Sequence, residues 1–291
     1  MTHENDTFIM LPTVDICFKN LMENKQVRQG FIAALLKVKP EEIKETFLLP
    51  SALSQDYADD KLGILDVRVS LENGTQMDME MQVAYFAYWD ARILFYLSKM
   101  VSSQLKSGEP YKKLKKCIHV SILDFIYFEK DKECCRTISF CDEKTAERYT
   151  DLLEIQILEL KKIPKEEQNE EGIIRWMRFL GGRNREELAY MAKTDKYLGE
   201  AYEALEKLSA DERARLEYEA REKALRDYHS QMSSAMEQGM ERGLKLGEKQ
   251  GEQKKLKELI LKKMKKGYSP EEIAKLLEED LETIQKLAEE V

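Results

Sequence analysis

Two alternating runs, GILDVRVSL at 63–71 and TQMDMEMQV at 75–83, flank Glu72-Asn73-Gly74 and constrain this chain more than any other feature. A two-residue period belongs to a β-strand and not to a helix, and Asn-Gly between two such runs marks a hairpin. Alternation places Leu65, Val67 and Val69 on one face of the first strand, with Asp66 and Arg68 on the other. In the second strand Met77, Met79, Met81 and Val83 share a face, opposite Asp78, Glu80 and Gln82. Turn length decides whether the polar faces coincide. A three-residue loop with Gly74 left-handed sets Leu71 against Thr75, so that Asp66 faces Glu80 and Arg68 faces Asp78. A two-residue Asn73-Gly74 turn would put opposed residues out of phase, so the longer loop or a bulge is expected.

Directly opposed residues have Cβ atoms about 4.5–5.5 Å apart, and two carboxylates at that distance repel unless a cation or a basic side chain lies between them. Two readings are open. Asp66 and Glu80 form a hard oxygen-ligand site for Mg²⁺ or Mn²⁺, or the hairpin faces solvent and Arg68 with nearby lysines neutralises its acids.

The 291 residues carry 47 Lys+Arg against 55 Asp+Glu, a formal charge of −8, with 43% hydrophobic residues, which is too apolar for a disordered chain. No apolar run approaches the roughly 18–20 residues that span a bilayer, and MTHENDTFIM lacks the basic-then-apolar profile of a signal peptide, so a cytoplasmic protein is expected. Cys17, Cys117, Cys134, Cys135 and Cys141 lack paired C-x-x-C spacing and read as reduced thiols. His3, His119 and His229 are scattered, so a histidine metal site or a Ser-His-Asp triad is hard to build.

Further strands are expected in CIHVSILDFIYF and LLEIQILEL, and helices in DICFKNLM, in VRQGFIAALLKV and from about Tyr88 to Leu105. After Pro164 the chain turns to Ala, Leu, Glu, Lys and Arg, the composition of long helices. The expected division is an α/β domain over 1–162, a helical accessory region over 163–230 and a tail over 231–291. In the tail Gly239, Gly243, Gly247 and Gly251 make a helical stripe. Each mid-helix glycine costs about 0.8–1 kcal/mol relative to Ala, so helix–helix contact, and with it a homo-oligomer, is expected. The intervening Glu and Lys exclude a membrane helix. Ser269, Pro270 and Glu272 form a helix start with a capping box, and Ile273, Leu276, Leu277, Leu281, Ile284 and Leu287 suggest two short helices sharing an apolar face. Glu282, Glu289 and Glu290 make that hairpin a poor phosphate surface, so it reads as a packing element.

Residues 99–119 hold Lys99, Lys106, Lys112, Lys113, Lys115 and Lys116 against Glu109, which reads as a solvated face or as a DNA contact. Glu159-Leu160-Lys161 spells E-x-K but has no acid-bearing hairpin partner nearby, and reads as a strand end.

The order of these pieces resembles the PD-(D/E)XK nuclease superfamily, whose core is helix, three strands with a hairpin, helix, strand. More narrowly it resembles the recombination-promoting nuclease or transposase family of bacteria. The matching pieces are DICFKNLM, GILDVRV, NGTQMDMEMQV, Arg92 with YLSKM, SGEPYKKLKKCIHVSILDF and the glycine tail. The resemblance implies a nuclease-like α/β core followed by a helical C-terminal region. It also implies hydrolysis of DNA phosphodiester bonds with Mg²⁺ or Mn²⁺ held by Asp66, Glu80 and the Met81 carbonyl. Asp15 would be an auxiliary acid, Lys19 would approach the phosphate, and Gln82 stands where the superfamily usually has Lys. Leu65 stands where the superfamily name has Pro. Gln82 is neutral and cannot supply the charge of a lysine, although it can orient water. Arg92, Lys99 and Lys19 are the cations that would replace it. Three functions remain: a metal-dependent DNA endonuclease linked to recombination or mobile elements, an inactive nuclease-like module binding DNA or protein, and a helical self-association scaffold.

Overall fold

Gly74 adopts a φ of 86°, Leu71 N–H donates to Thr75 O at 2.8 Å and Gly74 N–H donates to Leu71 O at 2.9 Å, so the turn is the three-residue loop. It sets strand β2 (Val67–Leu71) against β3 (Gln76–Gln82) with Val67 facing Met79 and Arg68 facing Asp78, the register that alternation requires. The structure, a computed structural model, describes residues 8–52, 65–85, 87–165, 170 and 172–289. Gly63 and Ile64, at the start of the first expected strand, lie outside the described residues, as does His3.

The hairpin sits inside a six-stranded mixed sheet. β1 (Thr46–Leu49) pairs antiparallel with β2, and β4 (Cys117–Leu123) pairs parallel with β3. β6 (Leu153–Glu159) pairs parallel with β4, and β5 (Cys135–Ser139) closes the far edge antiparallel to β6, giving the order β1-β2-β3-β4-β6-β5. β1 and β5 are additions to the strands expected from sequence. Both are short and neither carries a full alternation.

Helices α1 (Asp15–Glu23) and α2 (Lys25–Leu36) meet at Asn24, whose side chain accepts from the Gln26 and Val27 amides and so starts α2. Their apolar faces, including Phe18, Leu21 and Phe31, share one core with Val69, Met77, Met79 and Val120 on one side of the sheet. α3 (Trp89–Ser102) covers the other side, with Trp89 and Ile93 against Leu123 and Ile157, and Leu97 and Met100 against Cys117.

The first core continues through Trp176 and Met177 of α4 (Gly172–Leu180), Leu188 of α5 (Arg185–Ala192) and Leu205 of α6 (Lys196–Ala210). A boundary near residue 162 therefore does not separate two cores. The chain divides instead into units Met1–Ala224 and Leu225–Val291, and passes from one to the other within α7 (Glu212–Met264). In the second unit Ile260 of α7 shares a small core with Ile273 of α8 (Pro270–Leu277) and with Ile284 and Leu287 of α9 (Leu281–Glu289). The capping box is present: Ser269 Oγ accepts from Glu272 N–H at 3.3 Å, and Glu272 Oε2 from Ser269 N–H at 2.9 Å. Leu276 and Leu281 are exposed, so the apolar face of this hairpin is narrower than the sequence pattern suggests.

Candidate functional site

The ladder between β2 and β3 ends at Val67↔Met79, and Asp66, the next residue outward, lies in a bend. This bend corrects the simple alternation. Leu65 leaves the face of Val67 and Val69 and packs instead with Tyr96, Leu97 and Met100 of α3. Asp66 is thus the point at which the chain changes sides of the sheet. Its Oδ1 lies 3.2 Å from Lys19 Nζ of α1. Glu80, on β3 beneath α3, is only 1% exposed, and its Oε1 lies 3.4 Å from Arg92 Nη2. Asp78 beside it is fully buried, which removes the reading of a solvent-facing hairpin.

The electrostatics follow from that burial. Desolvation pushes the Glu80 carboxyl up to about 7; the charges of Asp78 and Asp66 add to the rise, and His119 and Arg92 oppose it. Burial also raises Asp66, with Lys19 opposing. Glu80 Oε2 has no hydrogen-bond partner among the described residues. A buried carboxylate oxygen without a donor is costly unless another ligand fills the place. The main chain adds a third oxygen. Gln82 O accepts from Asp124 N–H on the β4 side at 2.8 Å, so alternation turns the Met81 carbonyl toward the β2 side, where the ladder has already ended. Among the described residues no group of three or more His, Cys, Asp or Glu side chains is placed to hold a metal ion. Two carboxylates and one carbonyl nevertheless fit Mg²⁺, which takes one or two carboxylates and keeps waters and substrate phosphate as its other ligands.

The sequence-derived cations divide between the two ends of the sheet. Lys19 and Arg92 stand at the acids, and the Arg92 guanidinium is fixed over the Trp89 and Tyr96 rings at 5.4 and 5.2 Å. Asp15, one helical turn before Lys19, pairs with Arg221 at 3.5 Å, and its charge contributes to the rise at Asp66. Lys112, Lys113, Lys115 and Lys116 lie just before β4, at the hairpin-turn end. Gln76 pairs there with Cys117, whereas Glu80 pairs with Ser121, four positions or roughly 13 Å further along the strand. Lys113 pairs with Glu109 and Lys116 with Glu154, each at 2.7 Å, while Lys99 lies 5.6 Å from the Phe95 ring centre. The structure therefore brings Asp66, Glu80, Met81, Lys19 and Arg92 together and keeps the lysine run apart from them.

Two buried arrangements escape a reading of the sequence. His119 Nδ1 donates to Asp78 Oδ2 at 2.7 Å, and His119 Nε2 lies 2.9 Å from Ser121 Oγ. These three residue types form a triad in hydrolases, but all three side chains here are fully buried, so Ser121 meets no substrate. The row links β3 to β4 through buried side chains instead. Glu159 of the E-x-K decoy is also fully buried; its Oε1 accepts from the Tyr127 and Phe128 amides at 2.7 and 3.1 Å, and its Oε2 pairs with Lys162 at 2.9 Å. Its work is to anchor the loop after β4.

A mixed sheet whose central hairpin has Asp66 just before one strand and Glu80 on the other, with helices on both faces, is consistent with the PD-(D/E)XK nuclease-like fold. The chain belongs to the PD-(D/E)XK nuclease family transposases, whose family model matches residues 12–235. No curated protein and no solved structure matches the chain. Among the described residues no helix is long and apolar enough to cross a membrane.

Proposed function

We propose that this protein is a metal-dependent DNA endonuclease of the cytoplasm that hydrolyses phosphodiester bonds during DNA recombination or the movement of mobile elements. The observation that carries the reading is Glu80 Oε2, a buried carboxylate oxygen without a hydrogen-bond donor, one ladder step beyond the end of β2 and beside Asp66. Asp66, Glu80 and the Met81 carbonyl would hold Mg²⁺ or Mn²⁺. The ion supplies Lewis-acid polarisation of the phosphate and a lower pKa for the attacking water.

The remaining residues act around that ligand set. Arg92 replaces the lysine that Gln82 lacks: its charge stands against Glu80 and is held in direction by two rings. Lys19 is partly exposed and can turn from Asp66 to a phosphate oxygen. Gln82, partly exposed at the end of β3, can orient water through its amide. Asp15 holds the negative field at the first turn of α1. The lysine run, at the far end of the sheet, would contact the DNA backbone away from the cut.

The tail would bring two copies together. Gly239, Gly243, Gly247 and Gly251 have nothing within 4 Å of a built Cβ among the described residues, and exposed Met232, Met236, Met240 and Leu244 recur every fourth position beside them.

Plasmid DNA incubated with purified protein and Mg²⁺ or Mn²⁺ should be nicked or cut, and chelator, Asp66→Ala or Glu80→Ala should abolish the cleavage. Cutting by either variant at the wild-type rate refutes the site. Salt-sensitive binding without any cleavage would instead favour an inactive DNA-binding module.

A further inference from the structure

The carboxyl ends of β3 and β4 carry a group of aromatic side chains that the cleavage chemistry does not use. Tyr85, three positions past Gln82, is 60% exposed and stacks on Tyr127, with ring centres 6.4 Å apart and planes inclined by 28°. Phe125 meets Tyr85 edge-on at 6.2 Å, and Phe128 meets Tyr127 edge-on at 5.0 Å.

The loop that carries Phe125, Tyr127 and Phe128 is not loose surface. Buried Glu159 binds the Tyr127 and Phe128 amides, Lys162 bonds the Phe128 carbonyl, and the Asp124 amide ties this loop to Gln82. A buried carboxylate and a buried lysine are thus committed to holding a short aromatic loop next to the proposed cutting site. Charge accompanies the rings. Lys161 and Arg183, both about half exposed, converge on the single Asp124 Oδ1 at 3.2 and 2.6 Å, so one carboxylate is shared by two cations beside the loop. Arg136 lies over the Phe128 ring at 4.2 Å and pairs with Asp131.

An exposed ring stacked on an anchored one, beside half-exposed cations, matches the chemistry of unpaired nucleotides, whose bases stack while their phosphates seek positive charge. Paired bases are already stacked within the duplex and cannot lie on a ring. We propose that Tyr85 and Tyr127 form a stacking platform for unpaired bases, and that the favoured substrate is single-stranded or locally melted DNA led past Gln82 toward Asp66 and Glu80. The inference rests on the nuclease reading for any cleavage after binding, but the binding itself can be tested apart from that step.

A fluorescein-labelled single strand, and the same sequence as a duplex, are titrated with the full-length protein in chelator, and binding is followed by anisotropy. The wild type should bind the single strand at least about tenfold more tightly than the duplex. Tyr85→Ala should weaken single-strand binding by about tenfold and leave duplex binding unchanged, whereas Tyr85→Phe, which keeps the ring, should bind like the wild type. Tyr85 is more than half exposed, so its loss leaves the core intact. Equal affinity for both forms, or unaltered binding by Tyr85→Ala, overturns the platform even if plasmid cleavage is normal. Selective single-strand binding that Glu80→Ala retains, in a protein that never cuts, supports the platform and sinks only the nuclease reading.

Discussion

Replacing Glu80 by Gln should make the metal-free protein more stable while abolishing cleavage. Glu80 is buried, and its carboxyl is pushed from 4.5 to about 7, mainly by desolvation. For an acid whose folded pKa is raised, the native state binds the proton more tightly than the unfolded chain. The resulting loss of stability is absent below 4.5, grows as pH rises, and is complete above about 7. The shift corresponds to about 3 kcal/mol, already net of the attraction to Arg92. Glu80→Gln keeps the shape and removes the charge, so in chelator near pH 8 it should melt higher by roughly 6–12 °C for a unit of this size. Near pH 4.5 the gain should shrink to well under about 1 kcal/mol. Calorimetric melting of both proteins across this range checks the argument. Adding Mg²⁺ should narrow the gap by stabilising the wild type alone. A difference that does not change with pH, or a less stable variant near pH 8, would refute the reasoning.

Gly30→Ala would place a Cβ 2.5 Å from Tyr197 Cβ and 2.6 Å from its Cγ, where α2 meets α6. The crowding should cost about 1–3 kcal/mol and lower the denaturant midpoint, and an unshifted midpoint would contradict the packing described. Replacing Gly239, Gly243 and Gly247 together by Ala meets open space in the single chain, so each should add about 0.8–1 kcal/mol to helix stability and make the ellipticity at 222 nm more negative. If the stripe is where two copies touch, the solution mass of that variant should fall, and an unchanged mass removes the association account.

The hairpin was legible because two independent signals agree: alternation assigns the faces, and Gly74 assigns the loop length. The helices that flank it were legible from their periodicity, and the α8 cap from Ser269, Pro270 and Glu272. What could not be read is what a third element does to a strand. In sequence the polar side of β3 can be read either as solvated or as a metal site, but α3 lies on it and buries Asp78 and Glu80. Nearness along the chain also misled. Lys115 and Lys116 run directly into β4, yet the strand then travels roughly 13 Å before it reaches the residue beside Glu80. Conversely, Lys161 and Arg183 are far apart in sequence and meet on one carboxylate, a convergence that no local pattern announces. The decoy E-x-K had the same origin, since its glutamate is buried to bind backbone amides and not to face a substrate.

Two groups of methionines differ in their sulfur chemistry. Met77, Met79 and Met81 line the apolar side of β3 and are sealed in the core, whereas Met232, Met236 and Met240 stand in solvent along α7. Peroxide reaches exposed thioethers first and converts them to polar sulfoxides. Oxidative damage would therefore roughen the long helix while the strand behind Glu80 stayed intact, and sulfoxide at Met77 or Met79 would mark molecules whose sheet had already opened.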